Sequence, residues 1–233
     1  MRRWPRGRAG LAILACTIAL SCHRALPSRP LDLADGHGAR VFFVLGTLDE
    51  YTGRHVVEGD DRVEGFYCNE SAKVPAFLHQ LKQLAREQQL NASIRLEPRQ
   101  DCLTVVRSAA LADALNALYQ KRDAPRIEHS WTIDASGRKR RNETLWAGPE
   151  LFRGVTRELK LAYVAGAYAR YGQGEVLRFA NARQKVALLV ALLNELGCSN
   201  VRTESTQGFI PQTNTIHFDG CPDVRQSIDR PPR

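Results

Sequence analysis

No two cysteines of this chain are spaced C-x-x-C, which disfavours zinc and thioredoxin chemistry. Its six histidines include no pair at the i, i+4 spacing of a helical zinc site, and there is no H-E-x-x-H. A G-x-S-x-G nucleophile elbow and a G-x-x-x-x-G-K-[ST] phosphate loop are missing too. No long Pro/Ser-rich linker divides the chain, so one compact domain is expected. These absences leave no catalytic set, no cofactor-binding residues and no metal ligands, and the reading leans against an enzyme.

What is present begins at the N terminus. Arg2, Arg3, Arg6 and Arg8 form a basic start without acids. An apolar run over residues 9–20 follows, broken only by Gly10, Cys16 and Thr17. This is the layout of an export signal, and the run is too short to span a bilayer as a permanent helix. Four arginines and no acid lie within residues 1–22, so their removal takes the formal net charge from +8 to +4. That is an ordinary surface balance, and the high isoelectric point does not argue for a nucleic-acid partner.

Ala19-Leu20-Ser21-Cys22 resembles the lipobox of bacterial lipoproteins. The resemblance implies a signal peptide over residues 1–22, diacylglycerol on Cys22 and a cell-envelope protein attached to a membrane through its N-terminal lipid. Ile13-Leu14-Ala15-Cys16 is a second run of this kind and would place the lipid on Cys16. His23, not Asp, follows Cys22, which by resemblance to the sorting rule for such lipoproteins implies the outer membrane.

Residues 23–38 are polar, with two prolines and two glycines, and read as a flexible tether. An α+β domain is expected over 39–222, opening on a buried strand at 40–45, with loop or weak hairpin from Asp49 to Asp61. Inside it lies a weak internal repeat at an offset of 112 residues, where Asn69 pairs with Asn181 and Lys73 with Lys185. Each lysine opens a helix whose apolar residues fall at i, i+3, i+4, i+7: Val74, Phe77, Leu78 and Leu81 in one, Val186, Leu189, Val190 and Leu193 in the other. Two strands follow each helix, giving β-α-β-β units at about 62–107 and 174–219. Asn69 and Asn181 suit helix N-caps. Between the units, the pattern predicts an Ala/Leu-rich helix at 109–119, a hairpin over 131–146 and a long helix from Pro149 to about Arg170 with a small-residue stripe suited to close packing. The tail at 223–233 is expected to be disordered.

Outside the signal region four cysteines remain, Cys68, Cys102, Cys198 and Cys221, and an even count after export reads as disulfides. In a β-α-β-β unit the first and second strands run parallel, and the third returns from the edge where both end. Cys68 and Cys102 then share one edge, and Cys198 and Cys221 flank the two ends of a hairpin, so those are the expected pairs.

Arg138, Lys139, Arg140 and Arg141 form a basic run at a hairpin tip, a solvated turn or a contact for an anionic surface. Ser136 to Lys139 matches S-x-x-K, but on a hairpin tip and not at a helix start. Residues 66–119 run β-α-β-β-α, an order similar to that of peptidoglycan-binding SPOR domains, from which no binding residue is carried over. The function expected is a non-enzymatic envelope module that binds a protein partner or cell-wall component, with no nucleic acid. An immunity or inhibitor lipoprotein, or a hydrolase with a dispersed site, is the alternative.

Overall fold

The computed structural model describes residues 30–34, 37–50, 54–57, 59–120, 128–133, 136–145, 148–208, 212–219 and 221–232. Its architecture is α+β. Two helices cross at the centre, α1 (Gly38–Thr47) and α4 (Arg157–Tyr171). The first β-α-β-β unit is β2 (Arg62–Tyr67), α2 (Val74–Glu87), β3 (Arg95–Arg99) and β4 (Leu103–Arg107). The second is β8 (Val176–Ala180), α5 (Arg183–Glu195), β9 (Ser199–Ser205) and β10 (Thr213–Asp219). Both sheets have the same order, with the last strand in the middle: β2-β4-β3 and β8-β10-β9, the latter extended by the short β7 (Gly172–Gln173). A third antiparallel sheet, β1-β6-β5, joins β1 (Arg54–Val57), β5 (Glu128–Ile133) and β6 (Lys139–Leu145). The Ala/Leu-rich segment is helix α3 (Ala109–Gln120).

The repeat reaches one element further than the units themselves. A Cβ on Gly46 would lie 2.1 Å from the Tyr163 carbonyl oxygen, and one on Gly166 would lie 1.9 Å from that of Phe43. Residues 43 and 46 on one helix thus face 163 and 166 on the other, a reciprocal contact of the kind a two-fold axis produces. Only glycine permits this backbone approach. The small-residue stripe of α4 is used here, with Ala162, Ala165 and Ala167 all buried.

Four expectations are corrected. Residues 40–45 are helical, not a strand: Val41, Phe42, Val44 and Leu45 are all fully buried, and burial on every side erases the periodicity that separates a helix from a strand. The long helix from Pro149 is two pieces, a 3-10 turn over Pro149–Phe152 and then α4, interrupted where Gly154 takes φ +68. The tail is ordered as α6 (Pro222–Asp229), because Val224 is fully buried and Ile228, four residues on, packs against the same core. The tether is shorter than expected at its C-terminal end: Leu31 is buried, and the Asp32 N–H donates to Gln88 Oε1 at 2.7 Å.

Candidate functional site

At the C-terminal ends of α1 and α4 the two β-α-β-β sheets flank a cleft of about 660 Å3. It is lined by residues of both repeats, among them Tyr67, Asn69, Glu70 and Lys73 from the first and Arg170, Tyr171, Gln173 and Arg178 from the second. Asp49, just past α1, closes one side.

Beneath the cleft is a buried ionic network. Arg170, 2% exposed, donates from Nε and Nη2 to both oxygens of Glu70, at 2.8 and 3.1 Å. It also donates to the backbone oxygens of Thr47 and Gly65 and lies 3.4 Å from the buried Glu64. Its guanidinium stacks 4.4 Å above the Phe66 ring. Glu64 accepts the Asp49 N–H at 2.6 Å and the Gly65 N–H at 2.7 Å. Arg54, also buried, lies 3.9 Å from Glu64 and donates to Asn116 Oδ1 and the Val63 carbonyl. Fully paired charges of this kind fix a geometry more than they add net stability.

The two lysines of the repeat have related places in this network. Lys73 of the first unit donates to the Arg170 carbonyl, near the end of α4. Lys185 of the second donates to the Leu48 carbonyl, at the C-cap of α1, at 2.5 Å. Each therefore binds the orphan carbonyls of the other repeat's central helix, where a cation also meets the negative helix end. Lys185 is fully enclosed, 3.8 Å from Glu50, which itself accepts the Tyr119 hydroxyl.

Burial raises the Asp49 carboxyl above its ordinary range, Glu64 pushing the same way and Arg170 and Lys185 opposing. Burial alone would also raise Glu70, but the hydrogen bonds and charge of Arg170 bring it below the usual carboxylate range. Burial lowers the Lys185 ammonium against the pull of Glu50 and Asp49, and raises the Tyr171 hydroxyl. Arg178 stands on the solvent face of β8 and, among the described residues, faces no carboxylate within ion-pair distance.

The sequence-selected residues are distributed as follows. Cys68 joins Cys102, with Cα atoms 5.3 Å apart, and Cys198 joins Cys221 at 4.7 Å, the two pairs of the strand-edge argument. Cys22 and Cys16 lie outside the described residues. Arg138 sits at the β5–β6 turn and Lys139, Arg140 and Arg141 open β6, far along the chain from any cleft residue; Ser136 accepts from Arg138 Nε, so the S-x-x-K match is a turn contact. Asn69 lines the cleft, and Asn181 holds the Gln212 N–H through its side chain, so neither is the N-cap of its helix. Of the three tyrosines on α4, Tyr163 is core, Tyr168 donates to the Gly174 carbonyl and Tyr171 faces the cleft. His37 lines a recess of about 130 Å3 at the start of α1. Among the described residues no group of three His, Cys, Asp or Glu side chains is placed to hold a metal ion, and no helix is long and apolar enough to cross a membrane.

The sequence reading missed Asp49, Glu70, Arg170 and Arg178. A signal existed for part of this set: Lys73 and Lys185 are repeat identities, and their hydrogen bonds end at the elements carrying Arg170 and Asp49.

No family model matches the chain, and no curated protein matches it. Among solved structures it is similar to the homing endonuclease I-DmoI in complex with DNA and Ca, at a TM-score of 0.48 and 13% identity over 82% of this chain and 88% of that one. Mesophilic variants of the same endonuclease match at 0.48 and 14%, over 83% and 95%. The complex with DNA and Mn matches at 0.47 and 14%, over 83% and 96%.

This finding corrects three expectations. The similar structures named above are of a homing endonuclease, two of them in complex with DNA. The non-enzymatic envelope module and its alternatives, the leaning against an enzyme, and the exclusion of nucleic acid are therefore withdrawn. At this TM-score and identity the likeness transfers no activity and no substrate to this chain.

Proposed function

We propose that the cleft at the ends of α1 and α4 is a ligand site for a small organic molecule with an anionic group, carried by an exported chain lipid-anchored at Cys22. The observation that carries the ligand is Arg178. Glu70 already neutralises Arg170 on the cleft wall, whereas Arg178 keeps its guanidinium for an incoming anion. Lys73 lines the same cleft and spends one of three donors on the Arg170 carbonyl. Asn69 and Gln173 add amides, and Tyr67, 58% exposed, adds a flat apolar face. A few convergent polar groups around a volume of this size suit a small ligand. Asp49, with its raised carboxyl, supplies a proton-sharing group beside it.

The chain is titrated calorimetrically with inorganic phosphate and with citrate, in wild type and Arg178→Ala. Saturable binding that weakens about tenfold in the variant is expected, the size of one charge-assisted hydrogen bond. Equal affinity in both proteins, or no saturation by either anion, removes the proposal.

A further inference from the structure

Strands β5 and β6 form a hairpin whose exposed face combines two features that the sequence kept apart. Trp131 pairs with Arg141 and Ile133 with Lys139 across the antiparallel ladder. Directly opposed residues, and residues two apart on one strand, point to the same side of a sheet. Trp131, Ile133, Lys139 and Arg141 therefore share one face. Lys139 Nζ lies 4.5 Å from the Trp131 ring centroid, which fixes the arrangement. Trp131 is 57% exposed and Ile133 is 75% exposed, the latter the most exposed large apolar side chain described. The turn between the strands adds Arg138.

From this we infer that the β5–β6 hairpin is a second membrane contact, which seats Trp131 and Ile133 in the interfacial region of a bilayer with anionic lipid headgroups around Arg138, Lys139 and Arg141. The chemistry favours a lipid surface. Tryptophan prefers the boundary between headgroup and hydrocarbon, where its ring is buried and its N–H stays wet. Ile133 gains nothing from a purely anionic polymer and gains burial on entering the acyl boundary. Basic residues beside the wedge meet anionic headgroups at the depth where their stems remain apolar. The hairpin is separate from the cleft, so this inference stands whether or not the cleft binds an anion. It also does not require the lipid on Cys22.

The chain has three tryptophans. The test uses the full chain with Trp4→Phe and Trp146→Phe, leaving Trp131 as the reporter. It is mixed with phosphatidylcholine vesicles with or without phosphatidylglycerol, carrying brominated acyl chains. On the anionic vesicles Trp131 emission is expected to shift to the blue and to be quenched. An N-terminal lipid alone brings the protein to the vesicle without quenching this residue. Replacing Lys139 and Arg141 by Glu should weaken partition by at least about twentyfold, and Lys139→Gln with Arg141→Gln by a smaller factor in the same direction. Circular dichroism keeps unfolded variants out of the comparison. An unquenched Trp131 in the folded chain overturns the inference, as does quenching that is equal on neutral vesicles and in the charge variants. A DNA duplex that shifts Trp131 emission where vesicles do not would also overturn it and reassign the face.

Discussion

Lys185 shows how one buried charge organises its surroundings. Its ammonium has no exposure and is held by the Leu48 carbonyl and Glu50, with the Tyr163 and Tyr171 rings 5.6 and 5.5 Å away. Replacing it by Met fills much of the space but takes the ammonium away from the buried Glu50 carboxylate 3.8 Å from it. Loss of one partner from a buried pair costs about 3 kcal/mol, so Lys185→Met should lower the unfolding free energy read from urea melts by that amount at pH 7. The pH dependence has a definite sign. The folded state lowers the Lys185 pKa below 10.5, so the unfolded chain binds more protons between the two values. Wild-type stability relative to the variant therefore rises with pH across that window, is complete above 10.5, and is lost on going down through the folded value. Urea melts of both proteins from pH 7 to 10.5 check this, and a difference that shrinks with rising pH rejects it.

Among the elements, the crossing of α1 and α4 governs the cleft, because it sets where Thr47, Asp49 and Arg170 end up relative to one another. Its two glycines are the vulnerable points. A methyl on either meets a backbone carbonyl at about 2 Å, and the partner is another helix backbone that cannot turn aside. Gly46→Ala and Gly166→Ala should each cost about 3 kcal/mol, the upper range of overpacking, read as a fall in thermal midpoint. The near equality of the two is the stronger part of this prediction, since the contacts are reciprocal. A large loss at one and none at the other would show that the crossing is not two-fold. The β-α-β-β units and both cysteine pairs were legible in the sequence, because half-buried strands and one-sided helices keep their periods of two and 3.6. The 3-10 turn and Gly154 before α4 were not, since Pro149 and the apolar residues after it fit a helix start equally well.

On the scale of the whole molecule, the folded domain and the N-terminal segment raise different questions. Val224 anchors α6 to the core and Arg40 reaches the Pro232 carbonyl, so the C-terminal end is bound into the same body as α1. The lipid anchor proposed for Cys22 is checked by mass spectrometry of the protein purified from membranes. A mature chain beginning at Cys22 with an added diacylglycerol is expected. Lipid on Cys16 would move the site, and an unmodified terminus downstream of Cys22 would remove the anchor. Sucrose-gradient fractionation of the same membranes tests the outer-membrane placement.

By itself the sequence determined the features that depend on local order: the α+β class, the two strand-helix-strand-strand units and the strand edges that bring Cys68 to Cys102 and Cys198 to Cys221. It also marked Lys73 and Lys185 as equivalent without indicating their purpose. Only the tertiary structure decided that residues 40–45 are a central helix, because a segment enclosed on every side has no polar face to reveal its period. Only it assembled the cleft, whose Glu70 and Arg170 are 100 residues apart, and only it placed Trp131 and Ile133 on one face with Lys139 and Arg141. Charges and rings that meet through the fold leave no spacing in the chain to be read, since their distance is set by the crossing of two helices and the register of two strands.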